Sequence, residues 1–145
     1  GFSFTSDSPP KRRVAPKSVE RFKDRVRAIT DQARGKSIES TIRELASYLD
    51  GWRNYYAPCE VTWIFPKLDK WIRRRLRAAI WRQWRLPRKR YSELRKLGAD
   101  HILAASAAGC AYGPWRMSRT PALYYSLRNA YFHSRGLPKL ARSYA

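Results

Sequence analysis

At 145 residues the chain is long enough for one domain or for two small helical subdomains sharing a core, and 43% apolar residues suffice to fill it. Thirty-one Lys and Arg against 11 Asp and Glu give a net charge of +20, a field that favours polyanionic partners, while six Trp and nine Tyr exclude a disordered basic tail. No apolar stretch approaches the roughly 20 residues of a membrane span and no signal peptide is present, so the expected setting is a soluble one, cytoplasmic or organellar.

Gly1-Phe2-Ser3-Phe4 is apolar and β-prone, and reads as the end of a truncated element, so the chain is taken as a fragment. Residues 5 to 17 hold Pro9, Pro10 and Pro16 among polar and basic residues and form a linker. Val19, Phe22, Val26 and Ile29 recur at spacings of three and four, which predicts a helix capped by Ser18 and running to about Ala33, with Gly35 as its stop. Ser37 caps a second helix whose apolar face is Ile38, Ile42, Leu45, Leu49, Trp52 and Tyr56. Gly51 inside that pattern costs about 1 kcal/mol relative to Ala, which predicts a close helix contact there, and Pro58 closes the element.

A third helix is expected from Pro66 to Pro87, with Leu68, Ile72, Leu76 and Ile80 as its core stripe. Shorter pieces follow: one marked by Tyr91, Leu94 and Leu97 and ended by Gly98, and one over 100 to 108. Gly109, Gly113 and Pro114 make a loop, Thr120 and Pro121 open a helix over 121 to 132, Gly136 ends it, and a short terminal helix is expected over 138 to 143. The fold class is therefore all-α, with an extended N-terminal segment.

The charge is unevenly placed. Residues 1 to 60 carry 12 basic and 8 acidic groups, residues 61 to 97 carry 13 and 2, and residues 98 to 145 carry 6 and 1, for nets of +4, +11 and +5. Like charges at i and i+4 repel by a few tenths of a kcal/mol per pair, so this stripe calls for an external anion. Its arginines suit phosphate, because the planar guanidinium holds two oxygens at once. The candidate nucleic-acid contacts are Arg73, Arg74, Arg77, Arg82, Arg85, Arg88, Lys89, Arg90, Arg95 and Lys96, and Trp71 and Trp81 are candidates either for stacking on unpaired bases or for packing.

Catalytic chemistry finds no foothold in the same residues. The carboxylates are scattered, with no pair placed to hold two magnesium ions, and His101 and His133 stand apart from any nucleophile. Cys59 and Cys110 have no Cys or His at ligand spacing, so no metal site is expected and both are read as reduced thiols. The residues alone lead to a basic helical nucleic-acid binder.

Several stretches then resemble one family in its own order. Leu68-Asp69-Lys70-Trp71-Ile72-Arg73-Arg74-Arg75-Leu76-Arg77 followed by Ile80-Trp81-Arg82-Gln83-Trp84 resembles the maturase-specific region of group II intron reverse transcriptases. Gly51-Trp52-Arg53-Asn54-Tyr55-Tyr56 and Leu94-Arg95-Lys96-Leu97-Gly98 are similar to the flanking segments, and Trp115-Arg116-Met117-Ser118, Pro121-Ala122-Leu123, Asn129-Ala130-Tyr131-Phe132 and Gly136-Leu137 to the closing one. Gly1-Phe2-Ser3-Phe4 resembles the strand that ends the polymerase palm.

The resemblance implies a three-helix thumb, or maturase domain, over 18 to 86 and a smaller helical DNA-binding region over 87 to 145, with 1 to 17 as the end of the palm and a linker. It implies group II intron RNA as partner, a template-primer duplex and target DNA as further ones, and packing against the palm. It implies no catalysis and no cofactor in this chain, since the magnesium-dependent palm lies outside it; no membrane partner is expected, because the segments around the third helix have core periodicity of their own and supply it with packing partners. Either RNA maturation or clamping of the duplex by an active reverse transcriptase would be the main role of such a chain.

Overall fold

The computed structural model describes residues 1–142. Helix dominates, as expected: eight helices and one two-stranded sheet make up the regular structure of the described residues. Two compact units divide the chain, one of Gly1–Ile72 together with the chain from Gly136 on, the other of Arg73–Arg135.

The first unit opens with β1 (Phe2–Phe4) paired antiparallel to β2 (Arg12–Val14), in the register Phe2 to Val14, Ser3 to Arg13 and Phe4 to Arg12. The expected linker over 5 to 17 is thus only partly a linker. Pro9 and Pro10 turn the chain, and Arg12-Arg13-Val14 then presents two exposed residues and one buried one to the pairing. Helix α1 (Pro16–Asp31) starts earlier than Ser18, because proline at the first helical position lacks only an N–H that would find no intrahelical partner. Ser18 is no cap: it lies buried in the first turn, accepting from the Gly1 amine at 2.7 Å and donating to the Gly1 carbonyl at 3.1 Å.

Helix α2 (Ile38–Tyr55) has the expected cap, the Ser37 hydroxyl accepting from Ser40 N at 3.1 Å. Phe22, Val26 and Ile29 of α1 and Ile42, Leu45 and Leu49 of α2 are fully buried, and the Phe22 ring packs against Trp52 with centroids 4.4 Å apart. Gly51 departs from expectation. It is exposed, and a Cβ built there meets nothing within 4 Å, so the glycine marks no close helix contact.

After Tyr56 the chain turns through the buried Cys59, and the amides of Glu60 and Val61 both reach the Arg12 carbonyl on the outer side of β2. Helix α3 (Ile64–Gln83) begins two residues before Pro66 and ends four before Pro87. The early end follows from Pro87, which forces Leu86 into extended backbone (φ −100°, ψ 144°) and itself becomes the first residue of α4 (Pro87–Lys96). Phe65, Leu68 and Ile72 of α3 are buried in the first unit.

The expected terminal helix over 138 to 143 does not form in residues 138 to 142, and residue 143 lies outside the described residues. Leu137 and Leu140 are buried, and the amides of Leu140 and Ala141 are given instead to the buried Asp69 carboxylate at 2.8 and 2.9 Å. Arg53 donates to the Lys139 carbonyl at 3.0 Å, and Arg142 to those of Tyr56 and Ala57 at 2.9 and 2.7 Å. This strap makes residues 136 to 142 part of the first unit.

The second unit continues along α3 and through α4 to α5 (His101–Ala108), whose cap Asp100 accepts from Leu103 N at 2.8 Å. Between α4 and α5, Gly98 takes φ +102°, a conformation open to glycine at no steric cost. Helix α6 (Pro114–Met117) occupies the expected loop after Gly113. The expected helix over 121 to 132 is two, α7 (Pro121–Ser126) and α8 (Asn129–His133), parted at Leu127, which leaves the helical region (φ −96°, ψ 71°), and at the extended Arg128. Leu94, Ala104, Met117, Leu123, Leu127 and Phe132 are buried here.

Two substitutions test this reading. Asp69→Asn places an amide N–H₂ against one of the two backbone N–H donors and is expected to lower stability by about 2 kcal/mol, read as a shift in urea midpoint at unchanged slope. Gly51→Ala, with open space around it, is expected to raise stability by roughly 0.5–1 kcal/mol in the same assay.

Candidate nucleic-acid interface

The cationic stretch falls almost wholly in the second unit, and helix α3 sorts it by direction. From Leu76 to Trp81 every residue of α3 is buried, Arg77 included, so this part of the helix is covered on all sides. Arg77 is 4% exposed; its Nε donates to the Leu127 carbonyl at 2.8 Å and an Nη to Asn129 Oδ1 at 3.1 Å, with the rings of Tyr124 and Phe132 at 5.4 and 5.5 Å. Burial, with the neighbouring Arg73 charge behind it, pushes the Arg77 guanidinium down to about 10, so it remains charged at neutral pH. Arg73 is buried as well, with an Nη 3.2 Å from His133 Nε2.

These two arginines were candidates for phosphate contact, and the structure places both inside. They hold the loop between α7 and α8 and the end of α8. Arg90 is half-buried. Its guanidinium lies 4.3 Å over the Trp81 ring and donates to the carbonyls of Trp84 and Trp81, closing the C-terminal end of α3. Trp81, a candidate for base stacking, is fully buried and offers no face to a base.

Arg74 is half-buried, its guanidinium 3.6 Å over the Trp115 ring, with Nε donating to Ser118 Oγ at 2.9 Å and an Nη to the Trp115 carbonyl at 3.0 Å. Trp71 belongs to the first unit, where it is half-buried with Lys23 and Arg27 over its ring at 5.5 and 5.3 Å.

What faces outward is a group on the α3–α4 turn and along α4. Arg85, Arg88, Lys89, Arg95 and Lys96 are exposed and Arg82 is half-exposed. Arg95 donates to the Ala99 carbonyl at 2.9 Å, while Lys89 and Lys96 share one carboxylate, Glu93, at 3.0 and 3.4 Å. The hydrogen bond from Lys89 holds the Glu93 carboxyl below the usual range, with Lys96 adding to it.

Helix α4 begins Pro87-Arg88-Lys89-Arg90, with no acid in its first turn. Cations at the positive end of a helix dipole are disfavoured by several tenths of a kcal/mol each, and an anion bound there relieves the repulsion.

Reasoning from the arginine run alone misses a second set of residues over 112 to 135. Arg116 lies 3.6 Å over the Tyr112 ring, Arg135 lies 3.6 Å over Tyr131, and Tyr112, Trp115, Tyr124 and Tyr125 are exposed by 42, 41, 52 and 62%. The signal available in the sequence was the alternation of aromatic and arginine through that segment, which the dense charge upstream overshadows.

Among the described residues no group of three or more His, Cys, Asp or Glu side chains is placed to hold a metal ion, and no helix is long and apolar enough to cross a membrane. Cys59 and Cys110 are free thiols, and the His101 ring meets the Tyr91 hydroxyl at 2.8 Å.

The division into inner and outer arginines is testable by stability. Arg77→Ala leaves the Leu127 carbonyl and the Asn129 amide without their partner and is expected to cost about 2–4 kcal/mol, whereas Arg85→Ala should stay within roughly 0.5 kcal/mol of the parent. Denaturant unfolding of the two variants side by side checks the contrast.

Among curated proteins no sequence matches the chain. A family model described as the group II intron, maturase-specific domain matches residues 19–98, over half of the chain, from α1 through the end of α4 and so across the whole outward-facing cationic group. The chain therefore belongs to the group II intron maturase-specific family.

Proposed function

We propose that this chain binds folded group II intron RNA and stabilises the form in which the RNA itself carries out splicing. The observation that carries the reading is the exposed group Arg82, Arg85, Arg88, Lys89, Arg95 and Lys96, lying inside the family match and answered by only one carboxylate, Glu93, in the ion pairs of the described residues. Arg85 and Arg88 are its most available members, since neither side chain makes a hydrogen bond or ion pair with a described residue and α4 opens beside them without an acid.

Recognition on this reading is of RNA shape. A cationic face can follow the phosphates of a folded RNA and the 2′-hydroxyls of its wide minor groove, whereas side chains cannot read the deep groove of an A-form helix. In a parent reverse transcriptase the same face would also grip a template-primer duplex, with target DNA as a further partner and the palm as a packing partner. Those roles rest on the family resemblance.

Four to six neutralised phosphates would make affinity fall by roughly 10²–10³ between 50 and 200 mM salt. The test is binding of the chain to a self-splicing group II intron RNA and to an unrelated structured RNA across that salt range. Tighter binding to the intron with a steep slope is expected, and Arg85→Gln with Arg88→Gln should lower the slope by about 2 while leaving the unfolding midpoint in place. A flat salt response, or equal affinity for both RNAs, would refute the proposal.

A further inference from the structure

The break between α7 and α8 opens a surface bay of about 380 Å³, lined by Tyr124, Tyr125, Arg128, Asn129 and Ala130. Its volume falls within the range of small-molecule sites. Two features of its wall are unusual for an exposed helix junction. Tyr124 and Tyr125 are both more than half exposed and stand edge to face, with centroids 5.1 Å apart, so they present aromatic surface at two orientations. The polar groups beside them are oriented by bonds from within the fold.

Asn129 Oδ1 accepts from the buried Arg77 guanidinium at 3.1 Å, which fixes the amide: its oxygen is committed to the interior, and its N–H₂ is the end left for the bay. Arg128 is exposed, and its Nε donates to the Tyr125 carbonyl at 3.0 Å, so the side chain is steadied while its Nη groups take no partner among the described residues. The wall therefore offers hydrogen-bond donors beside aromatic faces. An arginine has no acceptor, and this asparagine has its acceptor occupied.

We infer that this bay is a binding site for a single unpaired base of RNA, selective for guanine over adenine. The inference rests on the RNA-binding reading above and adds a base-specific element to it. Stacking on tyrosine accepts any base, since every base has a π face. Discrimination comes from the edge: guanine presents two adjacent acceptors, O6 and N7, which match a wall of donors, whereas adenine pairs its N7 acceptor with the N6 amino donor and meets Arg128 and Asn129 donor against donor.

The experiment uses the full chain and two fluorescently labelled RNA strands, all cytosine except for one central guanine or one central adenine, read by anisotropy at fixed salt. The guanine strand is expected to bind about tenfold more tightly, the discrimination that a pair of base-edge hydrogen bonds supplies. Tyr125→Ala, at an exposed ring, should weaken both strands about tenfold while the unfolding midpoint stays in place.

Asn129→Asp keeps an acceptor for Arg77 and removes the outward N–H₂, so it should abolish the preference for guanine without unfolding the chain. Equal binding of the two strands by the parent chain, or an unchanged ratio in Asn129→Asp, would overturn the inference. If the chain meanwhile still binds intron RNA with a steep salt response, the base site alone is refuted; if it binds no RNA, both readings fall together.

Discussion

A buried guanidinium with no carboxylate partner among the described residues gives its protons to neutral oxygens, and the junction between α7 and α8 is arranged around one such group. Arg77 spans from α3 to the carbonyl of Leu127 and the amide of Asn129. Desolvating a charge costs several kcal/mol, and only complete hydrogen bonding in a fixed geometry offsets it. That requirement accounts for the interruption between α7 and α8. In a continuous helix the Leu127 carbonyl would bond down its own helix, whereas in the broken one it is available to Arg77. Arg90, over the Trp81 ring and bonded to the carbonyls of Trp81 and Trp84, follows the same pattern.

The outer cations do the opposite. Arg85 and Arg88 stay hydrated at the start of α4, and Lys89 and Lys96 lean on one glutamate. One arginine-rich stretch thus has two roles: part of it builds the unit, and the rest sets the electrostatic surface. A substitution in the first set acts through folding, one in the second through association, and the two are told apart by whether the unfolding midpoint moves.

Element existence was largely legible in the sequence because its signals are local. Ser37 and Asp100 cap helices where their side chains can reach an amide three residues on, and the apolar spacing of Phe22, Val26 and Ile29 defines a buried stripe. The direction of each arginine was not legible from charge. Arg73, Arg77 and Trp81 each follow a core residue, Ile72, Leu76 or Ile80, by one position, about 100° around the helix, and they are buried because α3 is covered on that side too. The small sheet and the strap were missed because both depend on distant partners: residues 12 to 14 need β1, and Leu140 and Ala141 need Asp69.

The strap changes what counts as a separable part of this molecule. The first unit is discontinuous: the chain leaves it within α3, builds all of the second unit, and returns at Gly136 to supply the residues that Asp69, Tyr56 and Ala57 hold. A truncation after residue 135 would contain the second unit in full and yet strip Leu137 and Leu140 from the first, leaving the Asp69 carboxylate buried without its donors. An excision of the second unit would have to rejoin α3 to the strap. In this chain a terminal deletion is therefore felt at the opposite end of the sequence, in the unit that begins with Gly1.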